Sequence, residues 1–285
     1  MIMKTGTLYI CGTPIGNLED ITIRQLNTFK LVDFIACEDT RHTLKLLNRY
    51  EITKKLISFH EHNYMAKSEE LIKLLAEGKS IALVSDAGMP IISDPGQGIV
   101  KKCKAQGITV TTVPGPTALI SGFILSGLES NGFVFSGFFP KDKKGIKEQI
   151  EYLHGETKAV IYYEAPHRIK KTLAVLNEGL GGDREVSLVR EITKIHEEAL
   201  SDKLCNLVLH YEEREPKGEF VMIVSGVSQS SLAEKKQAEF ADLTIAEHVE
   251  VYTEKGMSVK DAMKLAAKDR GISKREVYAV LNKDS

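Results

Sequence analysis

The chain has no tryptophan, no two cysteines spaced as CxxC, and no apolar run near the ~20 residues that a membrane-spanning helix needs. Its four cysteines, Cys11, Cys37, Cys103 and Cys205, are far apart in sequence. That spacing argues against a disulfide scaffold and fits a reducing, cytoplasmic setting. The opening residues carry none of the long apolar stretch of a signal peptide. A formal net charge of −1 supplies no global attraction to nucleic acid or membrane, so any electropositive surface has to be local. Several chemical signatures are also missing. The glycines of the first loop are spaced GxxxG, not GxGxxG, which gives no ground for NAD, and no GxxxxGK[ST] phosphate loop or GxSxG nucleophile elbow occurs. His60-Glu61-His62 is not HExxH, and no Cys/His cluster has zinc spacing, so no metal is expected.

What is present is a soluble, globular pattern: 285 residues, 42% apolar and 27% charged, enough for one large or two to three small domains. Short apolar runs at Thr7 to Cys11, Phe34 to Cys37, Leu56 to Phe59, Ile81 to Val84 and Thr109 to Val113 read as buried strands. Each runs into a polar or Gly/Pro loop and then a helical stretch, with Asp20 as the expected cap of the first helix. Strand, loop and helix in repetition specify an α/β fold with a largely parallel sheet. After Gly127 the composition shifts. Phe133 to Phe139, Ala159 to Tyr163, Val186 to Arg190 and Phe220 to Val224 read as longer strands able to pair antiparallel, and Pro140 to Lys147 reads as a basic, mobile loop. Past Gly226 a polar linker leads to helical periodicity from Thr244, a tight turn at Gly271-Ile272-Ser273 and a last helix from Lys274 to Leu281, in the spacing of a helix-turn-helix. From Met257 to Ser285 there are seven Lys/Arg against four Asp/Glu, the positive excess that the whole chain lacks. The expected organisation is an α/β domain over 1–122, a second over 123–228 with a cleft between them, and a helical tail over 232–285.

In open α/β sheets, ligands bind beyond the carboxyl ends of the strands. The loops there hold glycines and prolines that let backbone groups reach a ligand, and one carboxylate, Asp86. Six stretches then carry a resemblance: Leu8 to Leu18, Ala36 to Arg41, Val84 to Pro90, Asp94-Pro95-Gly96, Val113 to Ala118 and Tyr163 to Arg168. In that order the chain resembles the bacterial small-subunit (16S) ribosomal RNA ribose 2'-O-methyltransferases of the tetrapyrrole methylase superfamily, over about Thr7 to Gly226, and its tail resembles their C-terminal helix-turn-helix module.

The resemblance implies S-adenosylmethionine as methyl donor, a homodimer, and a cytidine in the decoding region of the ribosomal RNA as acceptor. It implies that Pro14 and Gly16 border the donor, that Asp86, Ala87, Gly88, Met89 and Pro90 hold it, and that Pro116, Thr117 and Ala118 close over it. A general base is useful because a ribose hydroxyl is a weak acid. Glu38, Asp39, Glu61 and His60, in the polar loops after the strands, are the candidates, with no choice among them. Arg41, Lys141, Lys143, Lys144, Arg168, Lys274 and Arg275 are the candidate RNA contacts, since phosphate binding needs local cations. Two other readings share part of this pattern: a precorrin-type tetrapyrrole C-methyltransferase, and a metabolite-sensing helix-turn-helix regulator.

Overall fold

The computed structural model describes residues 5–92 and 96–281, so Asp94 and Pro95 of the fourth stretch lie outside the described residues. Five strands form the first sheet: β1 (Thr7–Cys11), β2 (Phe34–Cys37), β3 (Lys55–Ser58), β4 (Ile81–Leu83) and β5 (Thr109–Val113). They lie in the order β3-β2-β4-β1-β5, and all four pairings are parallel. Between them run α1 (Ile23–Leu31), α2 (Thr40–Arg49), α3 (Tyr64–Ala76) and α4 (Gln97–Ala105), and α5 (Ala118–Ser126) follows β5.

The continuous apolar runs have a direct cause. Alternate strand residues enter two different cores: Leu8, Ile10, Ala36, Ile81 and Leu83 join one with Leu71, Leu75 and Ile99, while Cys11, Ile35, Cys37, Ala82 and Val84 join the other with Phe29 and Leu47. A parallel sheet buried on both faces needs apolar side chains at every position, not at every second one. Each fully buried Leu or Ile contributes roughly 1.5–3 kcal/mol.

The second sheet contains β6 (Phe133–Phe138), β7 (Ala159–Glu164), β8 (Glu185–Arg190), β9 (Glu198–Lys203) and β10 (Phe220–Val224), ordered β6-β7-β10-β8-β9. As expected from the sequence, antiparallel pairing occurs here, between β10 and β8 and between β8 and β9. The helices are α6 (Lys143–Gly155), α7 (Pro166–Leu180), α8 (Leu204–Glu212), α9 (Gln229–Glu239), α10 (Ile245–Glu254), α11 (Val259–Arg270) and α12 (Lys274–Leu281).

Two local expectations give way, and one strand arises where the sequence carries no signal. The first helix is capped by Thr22, not Asp20: Thr22 and Gln25 form a reciprocal capping box, and Asp20 sits in the short 3-10 turn before it. The stretch 140–147 is not a loop throughout, because Asp142 accepts the Gly145 N–H at 2.9 Å and starts α6, placing Lys143 and Lys144 in its first turn. The polar stretch 191–198 ends in a strand, β9, whose residues are mostly exposed and so carry no apolar signal.

By contact density the chain divides into a larger unit (1–128, 135–139 and 161–224) and a smaller one (129–134, 140–160 and 225–285). The smaller unit has its own core of Val249, Ala262, Met263, Ala266, Ala267 and Val277. Gly271 takes the left-handed conformation after α11, and Ser273 and Glu276 exchange hydrogen bonds at the start of α12, as the turn chemistry predicts.

A buried polar lock joins α9, α10 and α11. His248 stacks on Phe240 at 3.7 Å between centroids, and the Arg270 guanidinium donates to its Nδ1 at 3.0 Å and to the carbonyls of Phe240, Leu243 and Thr244. Tyr252 and Lys236 donate to Asp269, which is 3% exposed. Burial first, then the Arg270 charge, lowers the His248 pKa from its ordinary 6.5, against the opposing pull of Asp269 and Glu239. The fold therefore favours the neutral ring. As the pH falls below 6.5 the unfolded chain takes up the proton first, and stability is lost down through the lower folded value. Amide hydrogen exchange in α9 to α11 is expected to be faster at pH 5 than at pH 7 after correction for intrinsic rates; equal protection would refute the coupling.

Candidate functional site

Three loops at the carboxyl ends of β1, β4 and β5 are stitched together by backbone. Thr13 and Gly88 exchange N–H···O bonds at 2.9 and 3.0 Å, Thr13 Oγ1 donates to the Ser85 carbonyl at 3.0 Å, and the Gly12 N–H donates to the Val113 carbonyl at 3.1 Å. Ser85 Oγ donates to the Gly88 carbonyl at 3.1 Å, and Gln25, fully buried, donates to the Gly12 carbonyl from α1. The polar groups of these loops bond one another, and the walls are fixed before any ligand arrives.

Beside them lies a cavity of about 550 Å³, within the range of small-molecule sites. One wall is Ile15, Ala87, Gly88, Met89, Ile92, Thr117, Ala118 and Leu119; the other comes from the second sheet, the loops at its strand ends and α7, including Phe138, Tyr163 to His167, Glu191, Lys194, Glu219 and Phe220. The N-termini of α5 and α7 border it at Thr117 and Ala165, and neither has a side-chain cap. Such ends present unpaired N–H groups and favour negative charge. The Glu164 carboxylate on the far wall is fully committed: Arg168 at 3.1 Å, the Ala165 N–H at 2.9 Å and the Thr172 hydroxyl at 2.8 Å. Glu191 pairs with Lys194 at 2.9 Å, and that bond holds its carboxyl below the usual range.

Of the residues expected to hold a donor, Ala87, Gly88, Met89, Thr117 and Ala118 line this cavity, whereas Pro14, Gly16, Asp86, Pro90 and Pro116 do not. Gly16 has a different reason to be glycine. A Cβ there would lie 2.6 Å from Lys194 Cγ, 2.8 Å from Thr193 Oγ1 and 3.0 Å from the Ile192 carbonyl, and the adjoining Asn17 N–H donates to Thr193 at 3.0 Å. It seats the β8–β9 loop. Asp86 turns toward α2 instead of the cavity: one carboxylate oxygen accepts the Asp39 N–H at 3.1 Å and the other lies 3.3 Å from His42 Nδ1.

The candidate bases cluster beside Asp86, at the ends of β2 and β3, and none of Glu38, Asp39, His60 and Glu61 lines the cavity. Partial burial, then the Asp86 charge, pushes the Glu38 carboxyl up against the pull of His60. Asp39 caps α2 by accepting the Arg41 N–H and pairs with the Arg41 guanidinium at 2.6 Å, which holds it far below the ordinary carboxylate range. Among the described residues no group of three or more His, Cys, Asp or Glu is placed to hold a metal. Burial pushes the Cys11 thiol up to about 12 and the Cys103 thiol to about 11, far from thiolate chemistry.

The candidate RNA contacts separate into two kinds. Arg41, Lys141, Lys143, Lys144, Lys274 and Arg275 have exposed side chains, the last two in the first turn of α12. Arg168 does not belong with them: its side chain is 15% exposed and its guanidinium is bound to Glu164 and, at 2.7 Å, to the Phe139 carbonyl.

The model of the tetrapyrrole (corrin/porphyrin) methylases matches residues 7–208. The chain belongs to this family. Within it, the chain is 45% identical over 273 residues to the ribosomal RNA small subunit methyltransferase I of Bacillus subtilis (strain 168), covering 96% of this chain and 93% of that protein. It is 47% identical over 221 residues to the protein of that name from Thermotoga maritima, covering 78% of this chain and 99% of the other. Among solved structures, the methyltransferase CobJ has the same fold at a TM-score of 0.60 and 15% identity, covering 78% of this chain and 95% of that one. The uroporphyrin-III-C-methyltransferase from Thermus thermophilus gives 0.56 and 18%, with 77% and 94% covered.

For this methylase, sequence reasoning missed the wall from the second sheet and α7. Tyr163 to Arg168 stood out only as a motif, and Glu191 and Glu219 lay in stretches with no chemical signature. One signal for that wall was available, a glycine inside the strand-like run Phe133 to Phe139, where an isolated glycine marks a bulge or a close backbone approach.

Proposed function

We propose that this chain transfers a methyl group from S-adenosylmethionine to the ribose 2'-hydroxyl of a cytidine in the decoding region of small-subunit ribosomal RNA, acting in the cytoplasm as a homodimer on the assembled subunit. The observation that carries the reading is the cavity itself, walled by the same Ala87-Gly88-Met89 and Thr117-Ala118 segments that are expected to hold the donor. It is supported by the names of relatives that align over nearly the whole chain.

The residues present fit the donor. Small side chains and backbone at Ala87, Gly88 and Ala118 allow close approach to a nucleoside, and Met89, Ile15 and Leu119 give apolar cover. The uncapped start of α5 suits a carboxylate, and Glu219 supplies a carboxylate for a sulfonium or ammonium, while the Glu191 charge is already met by Lys194. When bound, S-adenosylmethionine supplies an electrophilic methyl carbon. The chain's part is to align the hydroxyl and exclude water, and charge is lost in the step, so positioning supplies much of the rate. Asp86, Pro14, Pro90, Gly16 and Pro116 shape the loops from behind. Arg41, Lys141, Lys143, Lys144, Lys274 and Arg275 meet RNA phosphates.

The test is label transfer from S-adenosylmethionine to small ribosomal subunits, with the modified nucleotide mapped. Label on one ribose is expected; label on a tetrapyrrole precursor and none on RNA would overturn the reading. Sedimentation at twice the 31.6 kDa chain mass tests the dimer.

A further inference from the structure

The strand β6 breaks its own alternation. In a regular strand Phe135 shares a face with residues 137 and 139. Gly137, however, has φ +69°, in the left-handed region. A Cβ built on it would meet nothing within 4 Å, so the backbone angle, not lack of room, is what calls for glycine. A left-handed glycine within a strand is the mark of a bulge, a device that re-aims a side chain. Phe138 thereby joins Phe135 on one face, and both rings meet Tyr163 edge to face, with centroids at 6.0 and 5.0 Å. Phe139 turns the other way, 2% exposed, against Tyr162 at 5.4 Å.

Phe138 is thereby left 56% exposed on the cavity wall, beside Tyr163 and in the same cavity as His167 and the Ala87 to Met89 and Thr117-Ala118 segments. Leaving a large aromatic ring in water forgoes roughly 25 cal/mol for each Å² not buried, yet at Gly137 the backbone adopts a left-handed conformation that favours glycine to hold it there. Edge-to-face contact with Tyr163 fixes the ring. Sequence-specific RNA recognition mostly targets bases that are out of the stack, and aromatic side chains are what such bases are laid on.

We propose that Phe138, braced by Tyr163, is the platform on which the base of the target nucleotide stacks while its ribose reaches into the cavity. The inference rests on the RNA reading given under Proposed function. Aromatic stacking accepts any base face, so this platform positions the nucleotide and leaves the choice of base to polar groups elsewhere.

Wild-type protein, Phe138→Ala and Phe138→Tyr are compared for label transfer to small ribosomal subunits and for S-adenosylmethionine affinity by calorimetry. Phe138→Ala is expected to raise KM for the subunits about 5- to 150-fold, the range of one base stacked on an aromatic ring, with donor affinity within about twofold. Phe138→Tyr keeps the π face and is expected to stay within about threefold of wild type on both measures. An unchanged KM in Phe138→Ala, with the wild type active, would overturn the platform and leave the RNA reading standing. Donor affinity falling in step with transfer would make Phe138 part of the donor wall and overturn the inference. Absence of RNA labelling by the wild type would remove the RNA reading, and the platform with it.

Discussion

Replacing Arg168 by Met is expected to destabilise the larger unit by about 3–5 kcal/mol, the cost of leaving one partner of a buried ion pair alone. The Glu164 side chain is fully buried, and Arg168 at 3.1 Å is its charge partner. Without the guanidinium, the Ala165 N–H and the Thr172 hydroxyl still donate to the carboxylate, but neither carries a positive charge. The Phe139 carbonyl loses its donor as well. Met fills a similar volume, so the loss is electrostatic more than steric. For a unit of this size the melting temperature should fall by roughly 6–20 °C. Thermal unfolding followed by circular dichroism checks this, and a shift below about 2 °C would refute it. The double variant Glu164→Gln with Arg168→Met should recover part of the loss, because the buried charge is then gone as well.

Gly12→Val should lower kcat/KM by about a hundredfold or more. A Cβ at position 12 would stand 2.9 Å from the Gly115 Cα and 3.0 Å from its N, and 2.8 Å from Met89 Sδ. A methionine side chain can swing aside; the Gly115 backbone, two residues past the Val113 carbonyl that accepts the Gly12 N–H, cannot. The added isopropyl group must therefore part the loop after β1 from the loop after β5, carrying Thr117 and Ala118 off the cavity wall. A displacement near 1 Å is enough for a loss of about a hundredfold. The check is label transfer together with donor calorimetry on protein shown to be folded. Wild-type kcat/KM and donor affinity in that variant would mean that the loops do not hold the donor.

The sequence made the first sheet legible because strands buried on both faces show as unbroken apolar runs, and Ile81 to Val84 is as clear as such a signal becomes. Strand order was not legible, since β1 between β4 and β5 leaves no mark on local composition. Exposed β9 was silent for the opposite reason: Glu198 to Lys203 pair through backbone and bury little. Capping misled where two acceptors competed. Asp20 and Thr22 are both fit to cap, and only Thr22 has Gln25 three residues on to complete the box. At the site, the Gly/Pro loops were visible through their backbone demands, and half of the expected donor residues reach the cavity. Asp86 illustrates the limit. A carboxylate at a strand end looks the same in sequence whether it turns to the cavity or, as here, to the N-terminus of α2. Arg168 shows it again, for nothing near it in the chain distinguishes a cation meant for phosphate from one buried against Glu164.

The exposed rim position of Phe138 also has a spectroscopic use. Because the chain contains no tryptophan, Phe138→Trp would install a single indole at the mouth of the cavity, and excitation above the tyrosine band would light that position alone. Its emission would then follow solvent exclusion at the rim, giving an optical reading of when the mouth is covered, in real time and without a label on any ligand.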